Sequence, residues 1–520
     1  MTATLVLVLV LAGVDEARAR PFESPAEAVP RGRIDELVFA RLKELGIAPA
    51  HLCSDEVFVR RVYLDVLGTL PTAQEARRFL TDRDPAKRRA LIDDLLRRPE
   101  FADYWALKWG DVLRIKAEFP INLWPKAAEA YHRWVRTCIR ENMPYDRFVR
   151  EMLTASGSNF RVPQVNFYRA MQAKEAEAIA RSVALSFMGT RAEKWPQEQL
   201  AGMAGFFQYL GYKSTNEWKE EIILFDLGRS LEDAAAGRVA TAILPDGTAV
   251  QLSAEQDPRR VFADWLIDGR NPWFGKNIVN RIWSWLLGRG IIHEPDDIRP
   301  DNRPVNGPLL TCLEQELVAA RYDLKHIYRL ILNSTTYQLS SIARSDRPEG
   351  RENFASYPLR RLEAEVLVDA LCQVTGTSES YTSSIPEPYS FIPEDLRSIA
   401  LPDGSITSLF LELFGRPARD TGLESERNNR VSAAQRLHML NSSHVRRKLE
   451  ESPKLRQLLQ PGNPRETLTG LYLTILSRWP VEEEMRIVGD YAQAETVGRR
   501  EVFLDLAWAL INSMEFQYRH

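Results

Sequence analysis

Two stretches far apart in this chain spell the same helix break. Tyr63 to Glu75 reads YLDVLGTLPTAQE, and Tyr472 to Glu484 reads YLTILSRWPVEEE. Tyr, Leu, a branched residue, Leu, Pro and Glu stand at identical offsets. Proline has no N–H to donate and cannot continue a helix. Each copy therefore predicts an apolar helix, a stop and a second helix returning antiparallel. An acidic-aromatic ending follows each copy, LLRRPEF at 95–101 and LINSMEF at 510–516, with a weaker echo, LILNSTTY, at 330–337. Duplication of a packing unit speaks of fold rather than chemistry, and it commits both ends of the chain to helix–helix packing.

Helical periodicity dominates between the copies. Ser54 is a predicted N-cap and Thr72-x-x-Glu75 a capping box. Further helices fit 86–97, 99–114, 127–141, 144–155, 174–190 and 197–211. After Asp257-Pro258, with proline in the first turn, they resume at 275–288, 307–320, 324–333, 358–373, 430–449, 465–477, 482–495 and 500–514. Composition changes at 238–252, where β-prone residues flank Pro245-Asp246-Gly247, a hairpin signal. Glu221 to Phe225 (EIILF) is a candidate third strand. The predicted fold is mainly α: helical domains at 33–215 and 257–520, joined by a small β connector at 216–256 and preceded by a flexible, Pro-rich lead-in at 20–32. Residues 377–404 are too rich in Ser and Pro for regular structure and read as a long loop, a class that is often functional when ordered.

A chain of 520 residues holds two or three domains. Its formal net charge of −3 supplies no positive field for nucleic acid. The 12 Trp, 16 Tyr and 21 Phe suit large helix–helix cores more than an exposed sugar platform. Ala3 to Val14 is an apolar run too short for a membrane span. It ends near Ala17-Arg18-Ala19, so residues 1–19 read as a signal peptide cleaved after Ala19, although no Lys or Arg precedes the run. The expectation is an exported, periplasmic or extracellular protein with no membrane span after cleavage. Cys53, Cys138, Cys312 and Cys372 form no C-x-x-C. They read as small buried hydrophobes, or as disulfides whose pairing the sequence leaves open.

Three polar clusters could carry chemistry. The densest follows Asn280-Arg281 and offers His293, Glu294, Asp296, Asp297 and Asp301 among Arg289, Arg299 and Arg303. Oxygen-rich loops of this kind hold Ca²⁺, and His with carboxylates holds a transition metal. The spacing matches no EF-hand or H-E-x-x-H helix, and the arginines offer a salt-bridge network instead. The second cluster places Arg361, Glu365 and Asp369 along one helix face, an acid/base pair or an ion network. The third runs from Arg416 through Glu426 and Arg427 to a helix whose N-terminal amides could receive an anion; its alternative is an arginine–carboxylate clasp. Histidines are few and scattered, among them His51, His132, His326, His438 and His444. No G-x-S-x-G elbow, Walker loop or G-x-G-x-x-G after a strand is present, which removes support for serine hydrolase, kinase-type and hydride-transfer chemistry.

Longer phrases carry a family resemblance. DELVFARLKELGI, VRRVYLDVLGTLPT, LIDDLLRRPEFADYWALKW and ENMPYDRFVREML, within 33–215, resemble the planctomycete cytochrome-associated domain of unknown function. DPRRVFADWLIDGRNPWFGKNIVNRIW, GRGIIHEPDDIRPDN, YDLKHIYRLILNSTTYQLSS, RRLEAEVLVDAL and AAQRLHMLNSSHV, within 257–517, resemble the planctomycete and verrucomicrobial specific domain that follows it. The resemblance implies an exported protein, often encoded beside an exported sulfatase-like protein, and a role in polysaccharide handling. Many relatives carry Cys-x-x-Cys-His-x-His-Pro after the phrase that reads SFMGTR here, Ser186 to Arg191. In this chain Ala-Glu-Lys and Trp195 follow instead, which implies no haem at that position. The sequence therefore suggests an exported helical scaffold or binding protein of the cell envelope, accessory to a sulfatase-like partner. The alternative is a metal-dependent extracytoplasmic enzyme acting on glycans or their esters, with His293, Asp296 and Asp297 at its centre.

Overall fold

In the computed structural model, the first repeat copy forms the helix Asp55–Leu67, a left-handed stop at Gly68 and the helix Ala73–Thr81. The structure describes residues 21–520 apart from 118–122, 239–240, 387, 391, 393, 461 and 495–497, so the leader read at 1–19 lies outside the described residues. Gly68 has φ +61°, and a Cβ there would sit 2.5 Å from the Tyr104 ring. The second copy forms Pro464–Ile475 and Glu482–Ala494, with Ser477 in the same left-handed turn at φ 62°. Glu75 accepts from the Thr72 N–H and Glu484 from the Val481 N–H, each at 2.8 Å.

The acidic-aromatic endings now have a physical role. Arg98 pairs with Glu75 and Glu100, both at 2.7 Å, and its guanidinium lies 5.6 Å from the Tyr63 ring centre. Arg478 pairs with Glu484 and Glu515, both at 2.7 Å, and lies 5.2 Å from the Tyr472 ring centre. Each module is closed by one arginine held between two glutamates and a tyrosine, although the two arginines come from different offsets. The modules also touch. Arg60 donates to the Ile475 and Phe516 carbonyls, and Arg519 donates back to the Leu64 carbonyl.

The N- and C-terminal helical segments share one hydrophobic core. Trp105, from the helix Pro99–Val112, packs 5.4 Å from Trp285 and 4.4 Å from Tyr328. Polar groups interlock the same boundary. Buried Asp35 accepts from the Thr335 and Thr336 N–H groups and the Thr336 hydroxyl. Arg61 donates to the Tyr337, Leu339 and His520 carbonyls. Buried Asp65 accepts from the Tyr337 and Tyr357 hydroxyls, each at 2.8 Å, and pairs with Arg360 at 3.2 Å and Arg519 at 3.1 Å. All four partners of Asp65 come from the C-terminal segment.

Several sequence expectations change. Glu221–Phe225 is a strand, but it does not join the hairpin. It is the centre of a three-stranded antiparallel sheet between Gly157–Ser158 and Leu210–Ser214. Glu221, at its start, is drawn to Arg169 and Lys174 on the helical side. The hairpin Thr241–Ile243 with Ala249–Gln251 stands as a separate pair. The helix read at 197–211 ends at Ala204, because Leu210 onward is taken into that sheet. The helix read at 358–373 begins only at Ala364; Arg360–Arg361 is extended and pairs with Tyr518–Arg519. The helix read at 430–449 is two helices, Ala433–Asn441 and Ser443–Glu450, the second capped by Ser442. The lead-in is tied down at Pro21 to Ser24, where Ser24 and Phe22 exchange backbone hydrogen bonds with Leu52 and Ser54. All four cysteines are free thiols. Among the described residues, no helix is long and apolar enough to cross a membrane.

Asp65→Asn leaves two buried arginines and two tyrosine hydroxyls facing a neutral amide. The expected cost is about 3–5 kcal/mol of unfolding free energy, the range for breaking a buried ion pair. Urea unfolding followed by tryptophan fluorescence measures it; a change below about 1 kcal/mol contradicts this account of the interlock.

Candidate functional site

The site is built on the helix Phe274–Leu287, which carries a buried polar stripe. Asn277, Asn280, Arg281 and Ser284 recur at helical spacing, so they share one face, and all four are buried. Each of the first three holds a neighbouring segment. Asn277 donates to the Ser186 carbonyl. Asn280 clamps Ile292 through both its N–H and its carbonyl. Arg281 pairs with Asp296 at 2.7 Å, both side chains being fully buried. The loop after Gly288 is thereby fixed against the helix that bears it. The peptide joining His293 to Glu294 is cis.

The five residues singled out in that loop do not converge. Asp296 turns inward to Arg281, and its second oxygen accepts from the Glu424 N–H at 2.6 Å. Asp297 pairs with Arg299 and Lys194. Asp301 pairs with Arg299, and Glu294 with Arg191 at 2.8 Å. Among the described residues, no three His, Cys, Asp or Glu side chains are placed to hold a metal ion. The local pattern is that each of the four carboxylates is paired with a cation. The loop also packs on the segment where the resemblance places a thiol–imidazole motif in relatives. Thr190 donates to the Ile298 carbonyl, and Arg191 and Lys194 supply two of the pairing cations. Gly189, at φ +63°, admits this contact, because a Cβ there would meet Asn277 Oδ1 at 2.6 Å and the Pro295 carbonyl at 3.0 Å.

The second and third clusters meet each other. Arg427 pairs with Glu365 and with Asp111 of the helix Pro99–Val112, each at 2.7 Å, and Arg419 joins Asp111 at 2.9 Å. Arg416 stands 3.7 Å from Glu365. Burial would raise the Glu365 carboxyl, but Arg427 and Arg416 outweigh it and hold the group below its ordinary value. Asp369 shares the helix face with Glu365 but points elsewhere, accepting from the Ser398 and Ile399 N–H groups. Burial raises its pKa, and Arg397 and those N–H groups only partly offset the rise. Arg361 is not on that helix; it lies in the preceding extended pair and donates to Gln435. Glu426 closes its own loop, accepting from the Asp420 and Thr421 N–H groups. At the helix start after Arg430 the Ser432–Gln435 capping box already engages the Ser432 and Gln435 N–H groups.

These elements line an open cavity of about 210 Å³. Lys108, Trp285, His293, Glu363, Glu424 and Arg427 line it, together with Ser284, Glu294, Arg360 and Asn429. Lys108 bridges at 2.7 Å to Glu363, which also takes Arg519 at 2.7 Å. Burial alone would raise the Glu363 carboxyl, but Arg519 and Lys108 hold it well below the usual carboxylate range. Glu424 behaves oppositely. Burial pushes it up, Asp296 adds to the rise, and Lys108 and Arg281 return only part of it. Its Oε2 accepts from the Trp285 indole N–H at 3.0 Å. The His293 pKa is lowered by burial and by Arg289. One wall thus presents a carboxyl whose pKa is raised and another a carboxyl held well below the usual carboxylate range.

Of this lining, the sequence singles out His293, Glu294 and Arg427; Glu363 and Glu424 stand inside its second and third clusters without being singled out, and Lys108 and Trp285 are named in none of the three. Lys108 had a visible signal: it stands between Trp105 and Trp109 on a helix apolar on nearly every side, where a lysine needs a buried partner.

Fold and site together define a mainly α protein of two helical segments that share a core and line a charged, indole-walled cavity. Residues 33–208 match PSCyt2, a protein family of unknown function (DUF1549), and residues 258–492 match PSD1, a protein family of unknown function (DUF1553). The chain belongs to the proteins that join these two families in this order. No curated protein and no solved structure matches it.

The raised Glu424 pKa has a stability consequence. In the folded state the group holds its proton at higher pH than it does unfolded, from an ordinary value of 4.5. Its contribution is therefore fully present below the unfolded value and is lost as pH rises through the folded one. Glu424→Gln keeps the acceptor for the indole and removes the charge. The variant is expected to melt higher than the wild type at pH 7 and to lose that advantage by pH 4. Calorimetric melting across this range checks it; a variant that gains most at acid pH contradicts the raised pKa.

Proposed function

We propose that this chain is an exported binding protein of the cell envelope whose cavity receives a small, hydroxyl-rich ligand of the saccharide class. The observation that carries the reading is the meeting of Trp285 with Lys108, His293, Glu363, Glu424 and Arg427 around one small cavity. An indole face suits the C–H face of a sugar ring, and flanking charged groups suit its hydroxyls. Pockets for drug-sized ligands run to about 300–1,000 Å³, so the occupant here is the size of one ring rather than an oligomer. Export rests on the apolar run Ala3 to Val14 and on the family resemblance, and partnership with a sulfatase-like protein rests on the resemblance alone. Fractionation of the native host and co-purification with a sulfatase-like protein from the envelope test those two points.

One observation favours a second reading, hydrolysis of glycans or their esters. Glu424 and Glu363 line the same space with pKa values driven apart, the pattern of an acid and a carboxylate with different tasks. Among the described residues, the acidic loop offers this reading no converging metal ligands.

Calorimetric titration with a panel of neutral, acidic and sulfated monosaccharides is expected to find one binder. Trp285→Ala is expected to weaken it at least tenfold, while Glu424→Gln weakens it less. Binding unaffected by both variants, or no binder in the panel, rejects the cavity as a saccharide site. Turnover of the bound sugar's glycoside or ester, lost in Glu424→Gln, selects the hydrolytic reading.

A further inference from the structure

A second constellation lies apart from the cavity, on the surface formed by the helices Ala433–Asn441 and Ser443–Glu450. On an unbroken helix His438 and His444, six residues apart, would point about 120° away from each other. The break at Ser442 brings them together instead, with His438 Nε2 at 3.4 Å from His444 Nδ1. Both rings are half-buried and stand against Phe410, at centroid distances of 5.6 Å. Phe414 lies 5.8 Å from His438. The imidazoles are therefore held in place by packing.

The third member fixes the chemistry of the pair. Glu379 lies 2.8 Å from His444 Nε2 and is also held by Lys448 at 3.2 Å. A carboxylate at Nε2 makes that nitrogen the donor, so neutral His444 presents a bare lone pair on Nδ1 toward His438. Without a metal the two rings share a long hydrogen bond at 3.4 Å, beyond the roughly 2.9–3.0 Å usual for an N–H···O bond. Two imidazole nitrogens on one tetrahedral zinc, each at about 2.0–2.1 Å, stand roughly 3.3–3.4 Å apart. The carboxylate behind His444 is the partner that commonly orients a metal-ligating histidine. Lys448, beside the group, is engaged by Glu379, by the Ser378 carbonyl and by Cys372 Sγ at 3.4 Å.

We propose that His438 and His444 form a binding site for a divalent transition-metal ion of the zinc class, with Glu379 orienting His444. No third His, Cys, Asp or Glu joins them among the described residues. The remaining coordination positions belong to water or to donors of an incoming ligand. The site is independent of the proposed saccharide cavity and is tested separately.

Tag-free full-length protein, stripped with EDTA and dialysed, is titrated with zinc chloride by calorimetry. One ion per chain is expected. His438→Ala and His444→Ala are each expected to abolish it, and Glu379→Gln to weaken it about 10–100-fold, the usual cost of losing an orienting partner. Wild type that takes up no zinc overturns the proposal, as does uptake that both histidine variants retain. Melting in EDTA is expected to be unchanged in the histidine variants, since neither ring is fully buried. Should a variant prove unstable, electron paramagnetic resonance of the wild type with one equivalent of Cu²⁺ decides: coupling to two imidazole nitrogens supports the site, and none overturns it.

Discussion

A carboxylate taken out of water must recover its solvation from donors, and Asp65 recovers it entirely from the other end of the chain. Tyr337, Tyr357, Arg360 and Arg519 all reach it from the C-terminal segment. Removing any one of these partners from the assembled chain would leave the buried carboxylate under-paired, which is costly. The two family segments are thus joined through one buried ionic centre. The same network reaches the cavity: Arg519 continues from Asp65 to Glu363, and Glu363 to Lys108. The charged wall of the site is an extension of the interlock, so its geometry is set by the fold as a whole.

The repeat shows how a packing unit can be conserved in form while its polar closure is rebuilt. Both modules place a tyrosine on the first helix, a glutamate after the break and a glutamate on the later helix. Both close them with one arginine, taken from Arg98 in the first and Arg478 in the second. Convergence on this arrangement from different offsets indicates that the ionic clasp, rather than a particular residue order, stabilises the antiparallel return.

The acidic loop shows where reading by residue type fails. His293, Glu294, Asp296, Asp297 and Asp301 are close in sequence and look like a ligand set. In the fold, Arg281, Arg191, Lys194 and Arg299 pair with the carboxylates, and Asp296 is drawn inward while Asp301 stays outside. Arg427 and Glu365, by contrast, were named in separate clusters and prove to be partners. Spacing along a loop says little about direction, because direction is decided by the cations that other elements bring.

By itself the sequence determined the helical class, the two module positions, the caps at Ser54 and Thr72, the hairpin at Asp246-Gly247 and the family pairing. Those depend on periodicity, proline and turn chemistry, which act over a few residues. Only the tertiary structure decided that the segments share one core, that Glu221–Phe225 joins the helical side, and that Lys108, Glu363 and Glu424 meet Trp285 and His293. It also decided the opposite pKa shifts of Glu363 and Glu424. Burial and the sum of surrounding charges set those, and both are properties of groups hundreds of residues apart.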